Sequence, residues 1–291
     1  MRRGLMFPII FAAVAALAQE ESVRQLWNTE FLQKRPAAKT AVEPNRISYR
    51  RVADAVKPET AGAPGLGTML GVTLWRLRLA KPADAPGTRL LVIEPAGDKR
   101  DMIPERVEAN TELAEGDHVR LTVEVPHTGY LYVIDREQYH DGAMSAPFLI
   151  YPNRLTRPGD NAVAPGRLIE IPDQRDNPNH FTVKPSHPGQ RAEVLSLLVM
   201  PEPWSGLKIG NDPLKLDAAV YADLEKKWTV QAERFELNDG AGKAWTDTEK
   251  RAGADGKTKL TQDDAPPQTL YRVKAQSGNP FLLQVPLRMK Q

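Results

Sequence analysis

The chain of 291 residues contains no cysteine. This absence excludes disulfide bonds, thiolate metal sites and a cysteine nucleophile, and it removes the residue to which a bacterial lipid anchor is attached. Stability must therefore come from a packed core. The chain is long enough for one large domain or two small ones that bury most of their apolar surface.

The sequence also lacks an apolar run long enough to span a membrane. The run at residues 5–17 holds 13 residues, including a proline, whereas a membrane-spanning helix needs roughly 20. It follows Arg2 and Arg3 and ends in Ala-Leu-Ala, so residues 1–18 are predicted to be a secretory signal peptide cleaved after Ala18. We expect a soluble, secreted or periplasmic mature chain with no stable membrane insertion.

Net charge is almost absent. The chain carries 39 Lys plus Arg and 37 Asp plus Glu, and residues 1–18 contain two arginines and no acids, which leaves 37 of each in the mature chain. Interspersed charges without an excess of one sign give no general attraction to phosphate backbones or anionic lipid. We therefore expect no nucleic-acid partner.

Catalytic motifs are missing as well. There is no G-x-S-x-G nucleophile elbow, and the glycines of residues 65–67 are not followed by the Lys-Ser or Lys-Thr of a phosphate-binding loop. The histidines are dispersed and form no metal-ligand motif: His118, His127, His140, His180 and His187. We expect no cofactor, no metal and no catalytic residue that the sequence alone can identify.

The N-terminal part of the mature chain has little sign of folded structure. Residues 19–33 could form a short helix with Trp27 and Phe31 on one apolar face, too short to be stable unless it docks on the rest of the protein. Residues 34–67 are rich in proline and poor in large apolar residues, so they are predicted to be a disordered linker.

Strand patterns begin at residue 68. The clearest covers 118–125, where Val119, Leu121 and Val123 alternate with polar residues, as in a strand with one side on a core. Further strands are predicted at 71–79, 90–94, 129–135, 148–151, 167–171, 181–184 and 193–200. Many short strands without long intervening helices favour a mostly β fold over residues 68–291, an immunoglobulin-like antiparallel β-sandwich with a short C-terminal helical insertion.

Two helices are predicted in the C-terminal extension, residues 205–291. Asp217 is a good N-cap, and Thr246-x-x-Glu249 has the form of a capping box. The first helix carries an apolar stripe made of Val220, Tyr221, Leu224 and Trp228. Strands at 269–275 and 281–289 flank a turn and are expected to form a hairpin that completes the sandwich.

Residues 115–204 resemble the bacterial domain-of-unknown-function 4384 family. The resemblance is carried, in order, by Gly116-Asp117, GYLYVID at 129–135, LIYPN at 149–153, Asp160-Asn161, Ile171-Pro172 and Glu193-Val194-Leu195. It covers about a third of the chain, and the flanks, which begin at residue 68 and end at residue 291, look like extensions seen in a subgroup of exported relatives. The resemblance implies a β-sandwich accessory domain, attached in other proteins to caspase-like peptidase or protein-kinase modules. It carries no catalytic residue, because the family has no agreed activity.

The hairpin expected at 135–142 is the most polar candidate for a site. Asp135, Glu137 and Asp141 surround His140, and their oxygen atoms could hold calcium in an EF-hand-like loop. Aromatic residues occupy two positions where such a loop needs oxygen donors, so an acidic hairpin closed by Asp141-Gly142 is favoured.

We expect an exported, non-enzymatic accessory module that binds an envelope or extracellular protein or polymer through loops at one end of the sandwich. The candidate binding residues are Asp135, Glu137, His140, Asp141, Asn153, Arg154, Arg157, Asp160 and Asn161. The alternative is a cell-envelope hydrolase whose carboxylates meet only in the fold. If the fold has a deep cleft with two facing acids, one with a raised pKa, the binding-module hypothesis fails.

Overall fold

The structure is a computed structural model that describes residues 27–37, 47–52, 67–94, 97–276 and 278–291. The predicted signal peptide, residues 1–18, lies outside these ranges. Within them the chain forms mainly short strands. In sequence order they are β1 (Tyr49–Val52), β2 (Thr68–Leu79), β3 (Leu90–Ile93), β4 (Lys99–Val107), β5 (His118–Glu124), β6 (Gly129–Tyr139), β7 (Phe148–Tyr151), β8 (Ala162–Val163), β9 (Leu168–Ile171), β10 (Phe181–Thr182), β11 (Gln190–Met200), β12 (Leu214–Lys215), β13 (Ala232–Leu237), β14 (Thr269–Val273) and β15 (Phe281–Arg288).

Two antiparallel sheets pack face to face, which confirms the predicted β-sandwich. The small sheet has the strand order β12-β7-β6-β11-β15, with β8 beside the start of β6. The large sheet has the order β1-β13-β14-β2-β4-β3, with β5 on the other side of β2 and β9 and β10 beside β5. Each strand predicted from alternation is present, with ends that differ by a few residues.

The main core lies between the two sheets. Leu121 and Val123 of β5 face Leu131 and Val133 of β6 and Leu197 of β11, and all five side chains are buried. Burying apolar side chains of this size stabilises the fold by about 1.5–3 kcal/mol each. Alternate residues of central strands β6 and β11 supply this layer, as the period of two requires.

The outer face of the large sheet is covered by a further layer, contrary to the one-sided strand predicted for residues 118–125. Arg120, Thr122 and Glu124 alternate with the core residues of β5, yet they are also buried. Trp245 covers this face and meets Trp75 at a ring-centroid distance of 6.2 Å. Charged side chains buried here are paired: Arg35 with Glu124, Arg106 with Glu249, and Arg120 with Glu170.

Both predicted helices are present. Helix α1 (Ala218–Trp228) begins after Asp217, whose carboxylate accepts hydrogen bonds from the N–H groups of Ala219 and Val220. Helix α2 (Asp247–Asp255) has the capping box of Thr246 and Glu249. The apolar stripe of α1 is narrower than predicted, because Val220 is exposed. Within the described part of the chain, no helix combines the length and apolar character needed to cross a bilayer.

The segment 34–67, predicted to be a linker, contains ordered structure. β1 pairs with β13 in register from Tyr49 opposite Leu237 to Val52 opposite Arg234. Before it, the described part of the predicted helix is a π-helical turn (Trp27–Phe31) followed by a 3-10 turn (Leu32–Lys34). Trp27 and Phe31 are buried beside Tyr49. Disorder was therefore the wrong prediction for residues 34–37 and 47–52.

The prediction of a C-terminal hairpin was also wrong, because β14 and β15 do not pair with each other. β14 pairs with β13 and β2 in the large sheet, whereas β15 pairs with β11 in the small sheet. The turn between them therefore crosses from one sheet to the other. The expectation that both strands complete the sandwich is confirmed, because Val273 and Val285 both enter the inter-sheet core.

The large sheet curls until two of its edges meet. β3 and β10 lie on opposite sides of β2, but the Asn179 side chain, next to β10, donates a hydrogen bond of 2.9 Å from Nδ2 to the carbonyl oxygen of Leu91 in β3. This contact brings the end of β3 toward the start of β5.

Candidate functional site

The turn predicted around His140 and Asp141 is present at the end of β6. Both side chains are exposed, and Asp141 Oδ1 accepts a hydrogen bond of 2.9 Å from the N–H of Ala143. Gly142 has a φ of 85°, which a residue with a side chain rarely adopts. Asp141-Gly142 therefore closes the hairpin as predicted, while Asp135 and Glu137 belong to strand β6 and not to the loop.

Asn153 and Asn161 hold the backbone of the loop that follows β7. Asn153 Oδ1 accepts hydrogen bonds from the N–H groups of Leu155 at 2.9 Å and Thr156 at 2.8 Å. The Asn161 side chain is buried and donates from Nδ2 to the carbonyl oxygen of Leu131 at 2.9 Å. These bonds use the polar groups inside the protein and explain both residues structurally.

The charged residues of the same loop differ in exposure. Arg157 is buried, and its Nε lies 3.1 Å from Asp173 Oδ2. Asp160 is half exposed and pairs with Arg167 at 2.5 Å, while Arg154 is exposed. Arg154 and Asp160 can therefore reach a partner, whereas Arg157 is committed to the fold.

The nine predicted binding residues do not form one surface. The loop after β7 returns to pair Ala162 with Tyr130, near the start of β6, whereas His140 follows the other end of that strand. At about 3.4 Å per residue the two groups lie roughly 30 Å apart. Of the predicted residues, Asp135 and Glu137 face the inter-sheet space, because they lie on the same side of β6 as Leu131 and Val133.

A cavity of about 160 Å³ opens into that inter-sheet space. Exposed Thr182 and Lys184 stand at its rim, and its wall is otherwise mainly apolar. The apolar lining residues come from both sheets and their flanking segments: Leu113, Val119, Ile150, Phe181, Val183, Leu195, Leu287 and Met289. The two remaining lining residues are Asp135 and Glu193, which place carboxyl groups in an apolar wall.

Asp135 and Glu193 lie within hydrogen-bonding reach of each other. β6 pairs with β11 so that Asp135 stands opposite Leu195, and Glu193 lies two residues before Leu195 in β11, on the same face. Diagonal neighbours of this kind are close enough for side-chain contact. Glu193 Oε1 also accepts a hydrogen bond of 2.6 Å from Gln190 Nε2. No other described residue donates a hydrogen bond to the two buried oxygens Asp135 Oδ1 and Glu193 Oε2.

Burial raises the pKa of both carboxyl groups. It raises the pKa of Asp135 to about 6, where the hydrogen bond with Glu193 acts in the opposite direction and the charge of Glu137 adds to the rise. Burial and repulsion from Asp135 raise the pKa of Glu193 to about 8. Near neutral pH the pair therefore holds one proton and one negative charge.

Glu137 provides a third, ionised carboxylate beside the pair. Burial acts to raise its pKa, but hydrogen bonds from Ser186 and Tyr139 and the nearby His187 together lower it. His187 Nδ1 lies 3.4 Å from Glu137 Oε2. Glu137 is thus held as an anion by its own partners, unlike the pair next to it.

The carboxyl pair can both donate and accept a hydrogen bond, and it can attract a cation. Glycosidases need their two carboxyl groups roughly 5 to 9.5 Å apart, with space for the sugar oxygen or a water molecule. Asp135 and Glu193 are too close for that arrangement. A shared proton between adjacent carboxyl groups is instead the arrangement of an aspartic-protease dyad.

Glu193 was missed as a candidate site residue, although the sequence holds a signal for it. Glu193 is the first residue of the apolar run 193–200. With a period of two it lies on the same face as Leu195 and Leu197, which are buried between the sheets. A carboxyl group in that position must lie in the inter-sheet space. Asp135 ends the apolar run of β6 in the same way.

Folding also brings together two histidines that are far apart in the sequence. The rings of His118 and His180 are stacked with centroids 4.1 Å apart, and Glu94 lies beside them. Burial and the neighbouring His118 lower the pKa of His180. Dispersal along the chain was therefore not a guide to the spatial arrangement of the histidines.

Residues 112–194 match the family described as "Domain of unknown function (DUF4384)". The match confirms the resemblance for this segment, which is less than a third of the chain. It contains all the cavity-lining residues except Leu195, Leu287 and Met289. Neither a curated protein nor a solved structure matches the chain.

Proposed function

We propose that this chain is an exported, non-enzymatic module that binds a protein or cell-envelope polymer by taking one group of that ligand into the inter-sheet cavity. The observation that carries the proposal is an apolar cavity with a proton-sharing carboxyl pair, Asp135 and Glu193, in its wall. Export rests on the predicted signal peptide at residues 1–18.

The size of the cavity limits what it accepts. An apolar cavity of about 150 Å³ is enough to bind benzene. The cavity of about 160 Å³ here therefore suits one ring or one branched aliphatic group, and not a folded segment or a sugar chain. Only a single side group of a polymer or polypeptide would enter.

The carboxyl pair favours a ligand group that ends in a hydrogen-bond donor or an ammonium. One negative charge in an apolar wall is costly to leave unpaired, and a carboxylate accepts a hydrogen bond from a charged donor readily. Lys184 at the rim is exposed, so its own ammonium group can stay in water.

Three small probes test this preference by calorimetric titration at about pH 7. Benzylamine carries a ring and an ammonium, toluene carries the ring alone, and phenylacetate carries a ring and a negative charge. We expect benzylamine to bind most tightly and phenylacetate least. The double substitution Asp135→Asn, Glu193→Gln removes the negative charge of the pair and should weaken benzylamine binding about tenfold, which corresponds to 1.4 kcal/mol, whereas the exposed Glu115→Gln should leave it unchanged. Equal affinity for the three probes, or equal loss in both variants, would overturn the proposal.

The second candidate function is an acid hydrolase, favoured by the raised pKa of Asp135 and Glu193. The pair meets the criterion of two adjacent acids, but the small cavity has no room for a scissile backbone beside them. Digestion of casein and of purified peptidoglycan between about pH 4 and pH 8 tests this alternative. Product release that is lost in both Asp135→Asn and Glu193→Gln would favour the hydrolase over the binding module.

A further inference from the structure

Glu94, His118 and His180 converge on the outer face of the curled large sheet. Each offers one ligand atom, and these atoms all lie within 4.8 Å of one another. Glu94 follows β3, His118 begins β5 and His180 precedes β10, so three separate strand ends supply the group. The cluster is independent of the inter-sheet cavity, because residues 118 and 119 point to opposite faces of the sheet.

The positions of these three residues are fixed by the backbone pairing of the sheet. β10 pairs with β5 so that Phe181 stands opposite Val119, which makes His118 and His180 diagonal neighbours. The hydrogen bond from Asn179 to Leu91 holds the end of β3 against this edge. Glu94 directly follows β3, and its carbonyl oxygen accepts a hydrogen bond of 2.8 Å from the Gly97 N–H.

The two histidines have unused ring nitrogens. His180 is 3% exposed, and Nδ1 of both His118 and His180 is buried without a hydrogen-bond partner. Buried polar atoms in native proteins are almost always satisfied, so two unsatisfied nitrogens in a pair of stacked imidazoles need a physical explanation. A metal ion would satisfy them, since neutral imidazole is a common metal ligand.

The guanidinium of Arg120 lies close to the cluster. Arg120 lies opposite His180 in the sheet and donates from Nη1 to the carbonyl oxygen of Asn179 at 2.7 Å. Its charge is balanced by Glu170, whose carboxylate lies 3.0 Å from Nη2 with both side chains fully buried. The carboxylate of Glu94 thus remains the negative ligand for an added ion.

We propose that Glu94, His118 and His180 bind a divalent transition-metal ion, with Zn²⁺ the best match to two imidazoles and one carboxylate. Three protein ligands leave a fourth tetrahedral position open for water or for a group from a partner. The stacked rings present their faces to each other, so binding requires at least one imidazole to rotate until its nitrogen points at the ion. The ion would then tie the end of β3 to β5 and β10.

The test uses the mature chain after treatment with EDTA, titrated with Zn²⁺ and, for its visible spectrum, with Co²⁺. We expect one Zn²⁺ per chain by elemental analysis, a rise in the unfolding temperature, and a tetrahedral Co²⁺ spectrum. His118→Asn and Glu94→Gln should each weaken Zn²⁺ binding at least tenfold, whereas His140→Asn, at an exposed histidine outside the cluster, should not.

Imidazole NMR of the unaltered chain keeps the test decisive if a variant does not fold. The resonances of His118 and His180 should shift on addition of Zn²⁺, while those of His140 and His187 stay in place. No bound Zn²⁺, or equal loss in the His140→Asn control, would overturn the proposal. So would shifts at the other histidines alone.

Discussion

The carboxyl groups of Asp135 and Glu193 lie side by side on β6 and β11, in the wall of an apolar cavity between the two sheets. Burial and the closeness of other carboxyl groups raise the pKa of Asp135 to about 6 and that of Glu193 to about 8. The protonation state of the pair therefore influences both the stability of the fold and the charge offered to a ligand.

Stability should fall as pH rises through the range of the pair. Between the usual pKa near 4 and the raised values, the folded chain binds more protons than the unfolded chain, so the free energy of unfolding decreases with pH. The stabilising contribution is complete below about pH 4 and is lost above about pH 8. Glu193→Gln removes the repulsion between the two carboxylates and should raise the free energy of unfolding by about 1–3 kcal/mol at about pH 8.

Urea unfolding at about pH 5 and about pH 8 measures this effect. The Glu193→Gln variant should show a flatter dependence on pH than the unaltered chain, and Glu115→Gln should follow the unaltered chain. If both variants lose stability in parallel with the unaltered chain, Asp135 and Glu193 do not share a proton.

Arg35 should be essential for stability, although it lies in a segment that the sequence predicts to be a linker. Its guanidinium donates two hydrogen bonds to Glu124, at 2.7 and 2.6 Å, and both side chains are buried. Arg35→Met leaves the Glu124 charge without its partner and should cost about 3–5 kcal/mol. Urea unfolding of the variant measures this cost.

Arg50→Met is the matched control, because the Arg50–Glu108 pair is exposed and should contribute at most about 1 kcal/mol. The double variant Arg35→Met, Glu124→Met should recover part of the loss. Equal stability of the Arg35→Met variant and the unaltered chain would show that the segment before β1 is not docked.

Benzylamine should bind more tightly at about pH 8 than at about pH 5, on the order of tenfold. Around pH 5 the pair of Asp135 and Glu193 is mostly protonated and neutral, whereas it gains negative charge as pH rises through about 6 and 8. An ammonium group favours the ionised form and should release protons on binding. Calorimetry in buffers of different ionisation enthalpy detects that release. Affinity that is independent of pH would separate ligand binding from the pair.

The chain should be processed on export from a bacterial host. N-terminal sequencing of the envelope fraction should start at Gln19, since residues 1–18 have the pattern of a signal peptide. Val14→Arg places a charge in the apolar run and should leave full-length chain in the cytoplasm. An uncleaved chain in the cytoplasm without that substitution would contradict export.

Strand alternation predicted most of the sandwich, and it failed where charge or proline broke the pattern. β4 contains Pro104 among five charged residues, and β13 contains Arg234 and Glu236, which are buried against the outer layer. Single-face alternation cannot anticipate a strand that is buried on both sides. The prediction of a C-terminal hairpin was wrong because β14 and β15 join different sheets. The local sequence does not determine which distant strand a given strand pairs with.

The candidate site was less predictable than the fold. Asp135 was among the predicted residues for its acidity, but the approach of Glu193 depends on the register between β6 and β11. A shift of one residue would turn Glu193 to the opposite face. His118 and His180 likewise meet through the pairing of β5 with β10. Sequence patterns indicate which face a side chain occupies, but not which distant strand lies beside it.

Methyl NMR with benzylamine is the sharpest test of ligand binding in the cavity. We expect saturable shifts of the methyl groups that line the cavity, from Val119, Ile150 and Leu195. These shifts should be lost in Val183→Phe, which places a ring in the cavity of about 160 Å³. Shifts confined to the exposed Leu79 and Leu91, or unchanged binding in Val183→Phe, would contradict the account.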